Sequence, residues 1–418
     1  VFWLADEDHD VEEVRSVWVH DASGSLVPVS FPSFVAGQPV SEQYPSEASF
    51  RKVFEQLELA LPGTDFRSGL MQGLHDAWRS PRSFRDAFAV WVLELFGERG
   101  LILCGSHDPA LKELARPVFE TYLSDPFAFY ERVDGQTQLL LERGYHRQVV
   151  PMESNLFFLD DGMRRRKMNV SRRGAGGAGG ADGADGVPSW EWSVGDGPDR
   201  QVIDIETIVS ESPNQLSPNV FLRPIVQDEL LPVLAYVAGP SELSYYAQLQ
   251  KVYPLFGKTM PMIVPRFSLT IVEPHISRAA DHLPFALSEY LARTEDLESE
   301  YVKREDDRNL DAFFNDWIAG IQHQNENRKE MIESVDPTLV KAASRAETMY
   351  RNELMKLKGK LIRSLKQQQE NQIARIHKVH HHLFPNNNLQ EREVGVIHPL
   401  NKYGPEFVSG LMHILEHE

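Results

Sequence analysis

Acidic residues and one histidine follow an apolar stretch at the start of the chain. The stretch runs from Val1 to Ala5, and Asp6, Glu7, Asp8, His9 and Asp10 come directly after it. Carboxylates and an imidazole beyond a strand could hold Mg²⁺, bind an ammonium group or act as a general base. The alternative is an acidic surface loop whose aspartates cap the next helix.

A glycine-bearing turn follows a second apolar stretch. Leu230 to Val237 predicts a strand, Ala238-Gly239-Pro240 predicts the turn, and residues 241–256 predict a helix capped by Ser241. Backbone N–H groups at such a helix N-terminus favour phosphate or carboxylate. The alternative is a plain strand-to-helix loop in which Gly239 allows tight packing.

Three other groups of residues are weaker candidates for a functional site. His377 and His381 have the spacing of a metal-binding pair, but no third acidic or Cys ligand is evident, so no metal site is predicted. Cys104 has no neighbouring base in the sequence to activate it. Residues 164–171 are superficially similar to the KMSKS loop of class I aminoacyl-tRNA synthetases, but they precede the glycine tract instead of following the second α/β half.

The elements that must position these residues are strands alternating with helices. In residues 1–150 the strongest strand is Gly100 to Gly105, helical patterns cover 49–61 and 84–96, and Asp108 caps a helix that opens at Pro109. This order predicts an α/β core with parallel strands, whose ligands lie beyond the carboxyl ends of strands. The loops after Ala5 and Cys104 are therefore candidate ligand sites.

The middle and the last third of the chain differ from this core. Residues 156–159 and 190–192 predict a small β insertion, and the glycine-rich stretch 173–187 between them has the composition of a flexible linker. Apolar residues at three- and four-residue spacings from about 284 to 383, interrupted at Asp336-Pro337, predict two long antiparallel helices. The second helix, at about 45 residues and roughly 65 Å, should project and pack against a second copy.

Composition excludes several classes of protein. The chain has 418 residues, one cysteine and a formal charge of -18. It therefore has no disulfide framework, and broad binding to DNA or anionic lipid is not expected. Because no apolar run is long enough for a membrane span and no signal peptide opens the chain, we expect a cytoplasmic protein. The apolar first residues predict that the chain begins inside a strand and lacks an N-terminal segment.

Five strings together resemble the bacillithiol-biosynthesis cysteine ligase (BshC) family. They occur in the expected order along almost the whole chain, at residues 1–10, 144–149, 217–228, 235–249 and 383–392. The resemblance implies a class I synthetase-related Rossmann-like core, connecting insertions and a coiled coil through which the protein dimerises. Two departures stand out: a Gly-Gln-Gln-containing loop of the family is missing, and the glycine-rich tract is not a family feature.

The resemblance also implies an activity, the last step of bacillithiol biosynthesis. An ATP-dependent ligase, with ADP as product or bound ligand and with or without Mg²⁺, would join L-cysteine to glucosaminyl-malate through an amide bond. Nucleic acid and membrane are not expected partners. The competing hypothesis is a non-catalytic, nucleotide-binding dimeric scaffold, and tRNA aminoacylation is disfavoured because HxGH and KMSKS motifs are absent.

Site residues follow from this chemistry. Asp8, His9 and Asp10 would recognise the cysteine ammonium or the sugar amine, with His9 removing its proton. Arg223 would pair malate carboxylates or phosphate, unless it forms a structural ion pair with Asp228. The substrate- or nucleotide-binding candidates are Asn219, Arg223, Gln227, Asp228, Gly239, Pro240, Glu242, Tyr245 and Gln248.

The predicted domain organisation has five parts. They are 1–150, the first part of the core; 151–215, the connecting insertion; 216–283, the second part of the core; 284–383, the coiled coil; and 384–418, a C-terminal segment that packs back on the core.

Overall fold

The computed structural model describes residues 1–173, 189–305 and 309–417. The predicted glycine-rich linker therefore lies almost wholly outside the described residues. The chain divides into two compact units: the first is Val1–Phe267 with Val396–Glu418, and the second is Ser268–Gly395. No helix of the described residues is both long and apolar enough to cross a lipid bilayer.

The strands all lie in the first unit. They are β1 Phe2–Leu4, β2 Ser16–His20, β3 Leu26–Ser30, β4 Leu103–Gly105, β5 Leu156–Leu159, β6 Arg165–Arg172, β7 Trp190–Val194, β8 Gln201–Ile203, β9 Leu216–Pro218, β10 Ala235–Ala238 and β11 Met262–Pro265. The helices of this unit are α1 Glu47–Ala60, α2 Arg67–Ala77, α3 Phe84–Phe96, α4 Pro109–Leu114, α5 Arg116–Ser124, α6 Pro126–Glu142, α7 Ile205–Glu211, α8 Arg223–Leu230 and α9 Pro240–Leu249, followed near the C-terminus by α16 Ile397–Tyr403 and α17 Glu406–His417.

Two parallel strand pairs form the predicted α/β core. β1 pairs with β4, placing Trp3 opposite Cys104, and β10 pairs with β11, placing Tyr236 opposite Ile263. Helices connect the strands within each pair, as parallel pairing requires. The predicted Rossmann-like fold class is thus confirmed, and the acidic loop and the Gly239 turn each follow the carboxyl end of a parallel strand.

The connecting insertion is larger than the predicted hairpin. Its five antiparallel strands have the order β8-β7-β6-β5-β9. Short β8 and β9 add to the two predicted strands, and basic β6 pairs between β5 and β7. β6 was missed because the sequence Arg165–Arg172 carries little apolar signal.

Two boundaries near the glycine turn also differ from prediction. β10 begins at Ala235, after Pro232 has removed a backbone donor from the predicted strand. The N-cap of α9 is Gly239 and not Ser241. The helix ends at Leu249, and a separate 3-10 turn follows at Tyr253–Phe256.

The first unit has two apolar cores. One packs the insertion sheet against α5, α6, α8 and α9, and its large buried residues include Phe119, Tyr122, Trp192, Phe221 and Tyr246. The other packs the β2–β3 hairpin against α1 to α3 and the C-terminal helices, with Val19, Phe50, Leu74, Trp91 and Leu400. The β1–β4 pair is short, and hydrogen bonds of the loop after β1 supplement its pairing.

The second unit is helical in its described residues. Its helices are α10 Pro274–Ala280, α11 Thr294–Arg304, α12 Leu310–Val335, α13 Val340–Gln368, α14 Glu370–Leu383 and α15 Gln390–Glu393. The break at Asp336-Pro337 is where predicted, but the predicted second helix is divided at Gln369. Ile276, Tyr290, Tyr301, Ile376 and Val379 form the core at one end of the long hairpin.

Candidate functional site

The loop after β1 is fixed by its first carboxylate. Asp6 is 3% exposed and accepts hydrogen bonds from the Ser106 hydroxyl at 2.6 Å, the His107 backbone N–H at 2.9 Å and the Arg85 Nη1 at 3.1 Å. A Cβ on Gly105 would lie 2.8 Å from Asp6 Oδ2, so the glycine that ends β4 permits this approach. Asp6 therefore ties β1 to β4.

Glu7 forms a buried ion pair with Lys112 of α4. The lysine Nζ contacts Glu7 Oε1 and donates to the Leu216 carbonyl at 2.7 Å. Burial by itself raises the pKa of Glu7, but Lys112 and His107 outweigh it, so this pKa lies below its ordinary value. Removal of either partner would leave the other charge buried without a counter-charge.

The three predicted catalytic residues lie further along the same loop and are more accessible. Asp8 and Asp10 are exposed, and His9 is half-buried. The Asp8 carboxylate accepts from the backbone N–H groups of His9 and Asp10, at 2.7 and 3.3 Å. The backbone carbonyl of Asp8 accepts from the Val40 N–H at 2.8 Å, which holds the loop in place.

Arg165 of β6 reaches this loop from the insertion. Its Nη1 lies 3.4 Å from His9 Nδ1 and 3.6 Å from Asp8 Oδ1. Its Nε and Nη2 donate to the Ser217 hydroxyl and the Pro218 carbonyl, at 3.0 and 2.9 Å. These contacts leave its side chain only 10% exposed.

The Arg165 contact favours one tautomer of His9, although the Asp8 Oδ1 atom also lies 3.6 Å from the same Nδ1. A guanidinium only donates hydrogen bonds, so Nδ1 of His9 is the acceptor in this contact. The neutral ring then carries its proton on Nε2. His9 therefore presents a donor, and not a lone pair, on its other side.

Arg223, at the start of α8, is the second cation of the site. Its Nη2 donates to the Tyr245 hydroxyl at 3.2 Å. Among the described residues, no carboxylate forms an ion pair with it, and the predicted alternative of an Arg223–Asp228 pair is not seen. Burial first, and repulsion from nearby Arg223 as well, lower the pKa of Arg165, while Glu7 and Asp8 oppose that shift.

The turn at Gly239 is held by a side chain of the helix that follows it, α9. Glu242 Oε2 accepts from the Gly239 N–H at 2.8 Å, and its Oε1 accepts from the Tyr236 hydroxyl at 2.8 Å. Pro240 has no N–H to offer. The Gly239 N–H is thus already engaged by a carboxylate, and the cations near this turn become the groups that can bind an anion.

Three predicted binding residues are buried, and the side chains of two of them, Asn219 and Gln248, are hydrogen-bonded within the unit. Asn219 accepts from the Phe221 and Leu222 N–H groups at 2.9 and 3.2 Å. Gln248 is 1% exposed and engages both backbone polar groups of Val149. Gln227 is 4% exposed, and no donor from the described residues reaches its Oε1. Their contact with a ligand stays a prediction.

Asp228 lies among tyrosines. Both of its carboxyl oxygens are buried, and the buried hydroxyls of Tyr246 and Tyr253 belong to the same cluster. Burial raises the pKa of Asp228 to about 6, although Tyr253 and Lys258 act against the shift. Asp228 is thus positioned as a buried acid and not as a partner of Arg223.

Arg165, which was not among the predicted site residues, contacts the first predicted group and lies near a residue of the second. Arg165 contacts Asp8 and His9 and lies near Arg223, whose Tyr245 contact leads to the α9 turn. The run of basic residues at 164–167 was the available signal. A strand position for Arg165 cannot be read from so polar a segment, and the position of these residues before the glycine tract argued against a KMSKS loop.

The chain is similar to proteins of one family over nearly its whole length. The family model described as Bacillithiol biosynthesis BshC, N-terminal Rossmann-like domain, matches residues 1–174 and 201–267, and the model of the C-terminal coiled-coil domain of BshC matches residues 269–418. Relatives from Salinibacter ruber and Chlorobaculum tepidum, both named "Putative cysteine ligase BshC", are 33% and 30% identical to the chain. These alignments cover 99% and 100% of the chain and 73% of each relative. A Bacillus velezensis protein of the same name is 26% identical over 99% of the chain and 74% of its own length.

Proposed function

The chain belongs to the BshC family of bacillithiol-biosynthesis proteins, and from that premise we propose that it is an ATP-dependent ligase joining the carboxyl group of cysteine to the amine of glucosaminyl-malate. The family membership supports a ligase of bacillithiol biosynthesis. The nucleotide, the second substrate and the amide bond are our proposal, as is a cytoplasmic location.

One observation carries the assignment of the site. Arg165 contacts the exposed carboxylate of Asp8 and lies near the half-buried Arg223, so negative and positive groups occur in the same region of the first unit. Glucosaminyl-malate has an amine at one end and two carboxylates at the other. A site with both charges fits such a substrate by electrostatic complementarity.

The two arginines are proposed to bind the anionic end. Arg223 has no carboxylate ion pair among the described residues, although burying a charge without a counter-charge is costly. A malate carboxylate or a phosphate group would supply that counter-charge through charge-assisted hydrogen bonds. The same cations would stabilise the phosphate that leaves when the activated cysteine reacts.

The acidic loop is proposed to bind the amine. Asp8 and Asp10 are exposed carboxylates that only accept hydrogen bonds when ionised, and one of them would take the proton that the ammonium group must lose. The amine nitrogen then forms the C–N bond while the bond from the acyl carbon to its phosphate leaving group breaks. Because Nδ1 of His9 faces Arg165, we assign His9 as a donor to an oxygen of the reacting groups, in place of the predicted base.

A homodimer through the coiled coil is part of the same proposal. The α12–α13 hairpin leaves a row of large apolar side chains in water, and these include Phe313, Trp317, Tyr350, Leu357 and Leu361. Leu354 of α13 is buried within the hairpin, and Tyr350, Leu357 and Leu361 lie beside it on the helix surface. The apolar stripe is therefore wider than two helices need, which is typical of a surface that packs against a second copy.

The test is a reconstituted reaction with the complete protein, ATP, cysteine and glucosaminyl-malate, read by mass spectrometry and by titration calorimetry. We expect a condensed product that requires all three substrates, and its loss in Arg223→Ala. Binding of ATP without product under any of these conditions would overturn the proposal and favour the non-catalytic scaffold. Retention of full turnover in Arg223→Ala would remove the arginine site while leaving the ligase activity.

A further inference from the structure

The last turn of α17, in the first unit, has a cluster of side chains that could bind a divalent metal ion. We propose that His413, Glu416 and His417, on the last turn of α17, together bind an ion such as Zn²⁺ or Ni²⁺. Their ligand atoms already lie within 4.8 Å of one another. Residues three and four positions apart share one face of a helix, so all three side chains point the same way.

The type of ligand selects the metal. Two imidazoles and one carboxylate suit Zn²⁺, Ni²⁺ and Cu²⁺, whereas Mg²⁺ and Ca²⁺ prefer oxygen ligands alone. Three protein ligands also leave one tetrahedral position for water or an incoming group. A metal ion bound here would therefore keep one coordination position for a ligand that the protein does not supply.

The hydrogen bond within the cluster orients one ligand. Nδ1 of His417 lies 2.8 Å from the backbone carbonyl of His413, and a carbonyl oxygen only accepts, so Nδ1 carries the proton. The neutral ring then has its lone pair on Nε2, free for a metal. Metal-binding histidines usually donate their other N–H to such a carbonyl.

The imidazoles are close together on a helix that is anchored at its other end. The ring centroids of His413 and His417 are 4.2 Å apart. Val408 is buried in the second core of the unit, and Arg99 Nη2 donates to the Ser409 hydroxyl at 2.9 Å. These contacts fix the first turns of α17 against the unit. The two histidine rings therefore lie on the exposed last turn of an anchored helix.

His377 and His381 on α14 have the same i, i+4 spacing as His413 and His417, but His377 already has a carboxylate partner. His377 Nε2 lies 2.5 Å from Glu298 Oε1, and Lys366 also contacts this glutamate at 2.7 Å. Both ring nitrogens of nearby His380 have partners, Thr294 and the Ala292 carbonyl. His377 is thus already engaged by Glu298, and it serves as a matched control.

The test is calorimetric titration of the untagged, metal-free protein with ZnCl₂ and NiCl₂ at pH 7.5, with MgCl₂ as the comparison ion. We expect one transition-metal ion per chain and proton release on binding, because a histidine ligand must be neutral. His413→Asn and His417→Asn should each weaken binding at least about tenfold, and His377→Asn should leave it unchanged.

Thermal unfolding with and without ZnCl₂ supplies a second readout. The metal should raise the unfolding midpoint of the unsubstituted chain and of His377→Asn, but not that of the double variant His413→Asn/His417→Asn, since only a ligand bound to the folded state stabilises it. These surface substitutions should leave the metal-free unfolding curve unchanged. The absence of saturable Zn²⁺ binding, or equal affinity in the double variant, would overturn the proposal.

Discussion

Arg165 Nη1 lies 3.4 Å from Nδ1 of His9, and this contact joins the insertion sheet to the loop that follows β1. The same guanidinium lies face-on to the Phe157 ring, 4.0 Å from its centroid. Stacking on this ring and hydrogen bonds to the Ser217 hydroxyl and the Pro218 carbonyl hold the group in one orientation. It is therefore a prearranged cation beside the accessible carboxylates.

Replacement of Arg165 should weaken the proposed reaction. Arg165→Ala removes one cation of the pair, and loss of a charge-assisted contact costs about 2 to 3 kcal/mol, or roughly 30-fold to 150-fold in kcat/KM. Arg164→Ala, at the exposed neighbouring position, is the matched control and should leave kcat/KM within about twofold. Urea unfolding of both variants separates this effect from a loss of folding. Equal kcat/KM in the two variants would contradict the role of Arg165.

The two substitutions of His9 should separate a donor from a base. His9→Gln keeps an N–H donor but has no group that takes up a proton near neutral pH, so we expect it to retain activity within about tenfold. His9→Ala removes the donor and should lose a further tenfold or more. The measurement is the pH profile of kcat/KM for the three proteins. A profile limb that is present in the unsubstituted chain and missing in His9→Gln would mean that His9 is the base.

Removal of Lys112 should destabilise the first unit. Lys112→Met leaves the buried Glu7 carboxylate without its counter-charge, and breaking such a pair by removing one partner costs about 3 to 5 kcal/mol. The double variant Glu7→Gln/Lys112→Met should recover a large part of this loss. Urea unfolding at pH 7.5 measures both. A single Lys112→Met variant as stable as the unsubstituted chain would contradict the structural role of the pair.

Acid should act on the same pair. The pKa of Glu7 lies below its ordinary value in the folded chain, so its contribution to stability is present above the unfolded pKa, near 4.5, and is lost as pH falls through the folded pKa. The difference in unfolding free energy between the unsubstituted chain and Glu7→Gln should therefore shrink below pH 4.5. A difference that does not change with pH would exclude Glu7 as the titrating group.

The contribution of Asp228 to the unfolding free energy should depend on pH in the opposite direction to that of Glu7. Its folded pKa of about 6 is above its ordinary value of 3.8, so the ionised group is disfavoured and stability falls as pH rises through this interval. Asp228→Asn should therefore stabilise the chain at pH 7.5 by on the order of 1 kcal/mol after solvent screening, and by less at pH 4.5. Urea midpoints at the two pH values test this. Greater stability of the unsubstituted chain at pH 7.5 would contradict it.

Substitutions that introduce charge test whether the exposed apolar stripe of α13 is the dimer interface. Leu357→Glu/Leu361→Glu puts two carboxylates on the exposed apolar stripe of α13, so the chain should become monomeric in sedimentation velocity. Arg363→Glu, which lies on the opposite side of the helix, should leave the dimer intact. A dimer that survives the double substitution places the interface elsewhere.

The sequence by itself determined the fold class and the two groups of chemical interest. Apolar periodicity distinguishes short strands from long helices, and α3 at Phe84–Phe96 has the predicted bounds because its apolar spacing and its Ser83 cap agree. The Asp108 cap of α4 was likewise local, since its carboxylate accepts from Ala110 two residues on. Such signals depend on neighbours in the sequence and can be read from it.

Tertiary structure alone decided which residues meet. Arg165 reaches His9 over 156 positions, and Lys112 reaches Leu216 over 104. Whether a lysine or arginine is solvated or buried in an ion pair depends on what the fold places opposite it, and no local pattern encodes that. For the same reason the contact of His9 with Arg165, the engagement of the Gly239 N–H by Glu242 and the burial of the Asp228 carboxyl oxygens are visible only in the folded chain.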